Sequence, residues 1–135
     1  MHDIVSVFKA AFAAIGAAVG FFVGGIDGFL YTLLAFIAAD YVTGVLLAIK
    51  NKNLSSEAAF WGLTRKALVF VVVGVAHTLD AYILGQGAVL RVATIFFYMS
   101  SEGISLLENI AQLGVPFPEK IRDILVQIKD KGGNQ

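Results

Sequence analysis

The chain has 135 residues, of which 58% are hydrophobic and 15% charged, with a mean hydropathy of +0.80 and ten basic side chains balanced by ten acidic ones. Water-soluble domains carry roughly one quarter charged residues, so the composition excludes an ordinary soluble fold, and the even charge balance excludes a broad nucleic-acid surface. The absence of cysteine removes disulfides, thiolate metal sites and cysteine nucleophiles.

Four apolar stretches, about 4–23, 26–49, 67–84 and 88–110, approach the roughly 20 helical residues that cross a bilayer. They predict an all-α integral membrane protein of three to four transmembrane helices, four preferred, as a single membrane domain over 1–135 with a cytoplasmic tail at 115–135. No basic leader with an A-x-A exit precedes the first stretch, so no cleavable signal peptide is expected. In that stretch Phe8, Phe12, Ile15, Val19 and Phe22 form a bulky stripe, opposite a ladder of Gly16, Gly20 and Gly24 flanked by Ala13 and Ala17. Small faces let a second backbone approach closely in lipid, which predicts a helix–helix seam, between subunits or within one.

"GGIDG" then turns the chain into the second stretch, giving a hairpin of helices one and two. The second stretch carries Asp40, and "KNKNLSSEAAFWGLTRK" reads as a polar loop leading to the third, which holds His77 and Asp80. "GQG" turns the third into the fourth. There Arg91, Thr94, Tyr98, Ser101 with Glu102, Ser105, Glu108 with Asn109, and Gln112 recur at offsets of 3 and 4, so they share one side of a helix. Charged groups inside spans face a bundle interior or an aqueous path, and the stripe is read as pore-lining. "GVPFP" stops this helix. Beyond it Ile121, Ile124, Leu125 and Ile128 mark a short amphipathic helix.

At about 1.5 Å per residue, Asp40, His77 and Glu102 fall near mid-bilayer and are expected to form one polar layer. No Lys or Arg lies at that depth, so the layer is expected to be satisfied by its members' contacts with one another, by their protonated forms, by hydroxyls such as Thr43 and Ser105, or by water. Interhelical hydrogen bonding and a proton path both remain open. A metal site from His77, Asp80 and Glu102 has no spacing motif behind it, and no cofactor is expected. Nucleophile–base spacings and phosphate loops are absent as well, so the chain reads as no enzyme.

Positive charges set the orientation. Lys50, Lys52, Arg65 and Lys66 flank the central loop, Lys9 and the basic tail residues join them, and four spans then place nine of the ten basic residues in the cytoplasm, N-in and C-in. The rival has three spans, with residues 4–23 lying flat on the outer surface.

From Asp40 onward, "DYVTGVLLAIKNKNLSS", "GLTRK", Asp80, "EGISLLEN" and "GVPFPEKI" follow in order. Together they resemble the bacteriophage holin family that includes the clostridial toxin-secretion holins, over about residues 40–125, with helix one outside the resemblance. It implies a multi-pass protein of the host inner membrane that assembles with itself among lipids into timed holes, releasing endolysin without binding it; an antiholin partner stays open. The residues alone also admit a small ion or proton channel or transporter subunit using Asp40, His77 and Glu102, or a membrane scaffold.

Overall fold

The computed structural model describes residues 2–85 and 87–133. Five helices follow one another: α1 (His2–Phe22), α2 (Gly28–Lys50), α3 (Ser56–Thr78, continued by a π-helical turn, Leu79–Leu84), α4 (Val89–Gln112) and α5 (Glu119–Gly133). No strand occurs among the described residues. Three stretches, Asp3–Phe22, Gly28–Lys50 and Ser56–Leu84, are long and apolar enough to cross a membrane. α4 is as long, but its hydroxyls and charges keep it out of that set.

Local chemistry sets the boundaries. Asp27 caps α2 by accepting from the Leu30 N–H at 2.9 Å, and Ser55 caps α3 by accepting from Ala58 at 3.1 Å. Each satisfies a backbone donor that the first turn leaves without a partner. The Ser55 cap places the start of α3 before the third apolar stretch. The helix starts at Ser56, not near Ala67, and the segment read as a polar loop shrinks to residues 51–55. Gly114 ends α4 in the left-handed conformation, with its N–H on Ala111 and the Val115 N–H on Ile110, which is the Schellman arrangement. Of the "GQG" turn, Gly85 and Gly87 both have positive φ, while Gln86 lies outside the described residues.

The core lies where α2, α3 and α4 meet. Leu30, Leu33 and Ile37 pack with Val69 and Val73 and with Ile95 and Met99, and Val23 closes one end. α2 and α4 run side by side in the same direction, because Arg91 reaches Asp27 at one end and Lys50 reaches the Gln112 carbonyl at the other. α1 behaves differently. It is exposed along nearly its whole length, and it packs on α3 but not on α2, so the first two helices are joined by a turn without packing on each other. Its anchor is Phe22, whose ring covers Gly74; a Cβ there would overlap the ring. α5 folds back onto α4, with buried Leu125 beside Gly103 and Phe36 also in contact there.

Candidate functional site

Two polar clusters hold the bundle, one toward each end, named inner and outer after the orientation expected from the positive charges. In the inner cluster Lys66, on α3, donates to Asp40 Oδ2 on α2 and to Glu102 Oε2 on α4, both at 2.7 Å. Asn109, one α4 heptad after Glu102, donates to Asp40 Oδ1 at 2.9 Å and to Thr43 Oγ1 at 3.1 Å. Thr43 in turn returns its proton to the Ala39 carbonyl at 2.8 Å. Asp40 is buried, and the other members are half-buried. An ammonium shared by two carboxylates offsets the desolvation that either carboxylate alone would suffer. A groove of about 290 Å³ between α2 and α3 ends on Asp40, Lys66, Ser105 and Asn109.

The outer cluster centres on Arg91, which is only 4% exposed. Its guanidinium donates to Asp27 Oδ2 at 2.7 Å, to the Gly25 carbonyl at 2.7 Å and to the Val23 carbonyl, so it gathers the whole α1–α2 turn. The hydrogen bond from Arg91 holds the Asp27 carboxyl below its ordinary pKa, assisted by the Leu30 N–H and opposed by slight burial. Asp80, fully buried in the π-helical turn, accepts from the Leu90 and Arg91 N–H groups at 3.0 and 2.8 Å. α4 has no side-chain cap of its own; Asp80 supplies one from another segment. Among the described residues no buried side-chain nitrogen or oxygen lacks a partner.

These contacts revise the expected layer. Asp40 and Glu102 do meet, but through Lys66, which was assigned to the cytoplasmic loop and to no intramembrane role. His77 is not with them. It is half-buried at the outer end, where its ring and Arg91 crowd Gly24. The members of the α4 stripe also separate. Arg91 turns to the α1–α2 turn, Glu102 and Asn109 to the inner cluster, and Ser105 to the groove, while Thr94 and Tyr98 are half-buried and Glu108 is exposed. In this arrangement the stripe faces neighbouring helices. Of the small ladder, Gly16 has nothing within 4 Å of an added Cβ, Gly20 meets only Ile26, and Gly24 lies beyond the helix at φ +89°. Within the chain, close packing on the ladder is thus confined to Gly24, and no other helix meets Gly16 or Gly20. Of the basic set, Lys50 caps the end of α4, Lys52 adopts φ 57°, and Arg65 is exposed on a second groove of about 490 Å³ beside Lys66 and Glu102.

Sequence reasoning missed two partners. The expectation of no Lys or Arg at that depth fails at Lys66, because a lysine stem reaches several ångströms past its Cα. Asp27 was read only as a turn residue, although it is the acid in the turn facing Arg91, the one basic residue assigned to the outer end.

A bundle of apolar helices with its charges paired inside defines a helical membrane protein. The sequence profile of the bacteriophage holin family matches residues 17–130, and the chain belongs to that family. The match starts within α1, so it extends further toward the N-terminus than the motifs from Asp40 onward suggested. An uncharacterised 14.9 kDa protein of Clostridium perfringens is 40% identical over 131 residues, covering 97% of this chain and 99% of its own length. A protein named probable holin from Bacillus phage phi105 is 43% identical over 97 residues, 72% of this chain and 71% of that one. An uncharacterised protein of Listeria innocua is 34% identical over 129 residues, 96% of this chain and 91% of its own. No solved structure matches.

Proposed function

We propose that this chain acts as a holin: copies assemble in the bacterial cytoplasmic membrane and open holes through which endolysin leaves at a set time. Family membership, with a phage relative named probable holin, carries this reading. The geometry is compatible with α4 as a further span. α4 is too polar to face lipid alone, yet Asp27 and Lys66 pair its Arg91 and Glu102, and its two ends are tied to the two ends of α2. In this reading α1 to α4 are four spans with the N-terminus in the cytoplasm and with Lys9, Lys50, Lys52 and Arg65 on the inner side.

In this proposal the α4 stripe is the internal lock of each copy, and the α2–α3–α4 core stays packed while the membrane opens. The ion-channel alternative uses Asp40, His77 and Glu102 as its path; here Lys66 joins Asp40 to Glu102, and His77 lies with the other cluster. Expression in bacteria with and without a cytoplasmic endolysin tests the function. An abrupt fall in turbidity only when both are present is the expected result. Loss of ion gradients with the endolysin still retained would point to a small ion path instead.

A further inference from the structure

α5 brings charge to an unexpected depth. Gly114 turns the chain back, and Leu125 is buried beside Gly103 of α4. Gly103 stands nine residues before Gln112, about 13 Å along the helix axis. A bundle in which α4 spans with α2 therefore carries α5 below the lipid headgroups. Exposed aromatic residues mark the two interfaces at which such rings prefer to sit: Tyr31 and Tyr82 at one end, Phe60 and Trp61 at the other. Yet α5 bears Glu119, Lys120, Arg122, Asp123, Lys129, Asp130 and Lys131 within 15 residues. At 100° per residue Lys120, Asp123, Gln127 and Asp130 point away from Leu125, and all four are exposed.

Charged side chains facing acyl chains are expensive, and inside a membrane they turn to protein or to water. The rest of the perimeter is the opposite in character. α1 is exposed throughout, as are Leu34 and Leu46 of α2 and Leu68, Val71 and Val75 of α3. α5 packs on α4 and touches neither α1 nor α3. Each copy is thus two-sided in the membrane plane, greasy on the α1 and α3 side and charged on the α5 side.

We propose that α5 stays folded back along α4 within the membrane thickness and that its outward face, Lys120, Asp123, Gln127 and Asp130, is the wall that meets water in the assembled opening. This rests on the holin reading and names the surface that reading leaves unassigned. The occupant of the face is water with its dissolved solutes, and copies assemble with their α1 and α3 sides toward lipid or toward one another. The mixed signs on the α5 face would hold neither an acidic nor a basic cargo.

Spin labels on the full-length protein in dextran-loaded vesicles test this. A label at Gln127→Cys, or at Asp123→Cys as an independent position, is expected to be several-fold more accessible to a water-soluble nickel chelate than one at Val71→Cys on the apolar face. A second label at Val89→Cys, at the start of α4, should give one narrow distance to Gln127→Cys, with an axial part of about 20 Å. A long, broad distance means that the tail has left α4 for the surface and overturns the proposal. So does a short distance with access to oxygen but not to the chelate, which would mean lipid or protein covers the face. Dextran release in the same vesicles separates the two levels. Release with a dry or undocked α5 sinks only this inference, whereas no release at all counts against the holin reading itself.

Discussion

α1 and α4 are of similar length, 21 and 24 residues, and are opposites in every other respect. α1 is apolar enough to cross a membrane and packs against almost nothing; α4 is too polar to qualify and is the most enclosed helix of the bundle. Hydropathy reports what a helix shows to lipid, not whether it belongs to the core. A helix can carry Arg91 and Glu102 through a bilayer when its neighbours supply Asp27 and Lys66, and only a helix so supplied can afford them. α1 has no such obligations and is held by one ring over one glycine.

The contrast can be broken most strongly at Lys66. Lys66→Met leaves Asp40 and Glu102 facing each other without a counter-charge and should cost about 3–5 kcal/mol, the usual range for half of a buried pair. Thermal unfolding in detergent should show a marked drop, recovered largely in the triple variant with Asp40→Asn and Glu102→Gln. Next is Arg91→Met, which strands the Val23 and Gly25 carbonyls and should cost about 2 kcal/mol, loosening the α1–α2 turn to proteolysis. Gly74→Val drives a side chain into Phe22 and should cost about 1–3 kcal/mol through overpacking, relieved by Phe22→Ala.

Asp27 gives a smaller, pH-dependent effect. Its pKa is lowered in the folded state, so its stabilisation is complete above the ordinary carboxylate range near 4. It fades as pH falls through the lowered folded value. Asp27 is partly exposed and solvent screens the pair, so the amplitude should be under about 1 kcal/mol. Asp27→Asn should remove that acid-side slope in a pH series of melting curves. Gly16→Leu is the smallest: with nothing near its Cβ, the stability of a single copy should change by less than about 0.5 kcal/mol. Any loss of crosslinked oligomers in that variant would then report a contact between copies.

Much of this architecture was legible in the sequence. Apolar length gave the helices, and Gly114 with the prolines gave the end of α4. The periodicity of Ile121, Ile124 and Leu125 gave α5 but not its fold back onto Gly103, because amphipathicity names a face without naming its partner. The carboxylates of the inner cluster were legible as costly, since charge in an apolar run has few explanations. Their counter-ion was not, because depth was counted at Cα while Lys66 acts through the end of a long stem. The outer clamp was hidden for another reason: backbone carbonyls of a turn, such as those of Val23 and Gly25, leave no mark in a sequence.

The claim that the core stays paired while the membrane opens is tested most directly by the reactivity of Ser105→Cys toward a charged thiol reagent in dextran-loaded vesicles. Ser105 is half-buried at the end of the α2–α3 groove, next to Asp40 and Asn109. Its reactivity should be low and unchanged when dextran escapes, while Gln127→Cys on α5 reacts. Ser105→Cys labelling that appears together with dextran release would show that the polar stripe of α4 becomes wet, and would contradict this account.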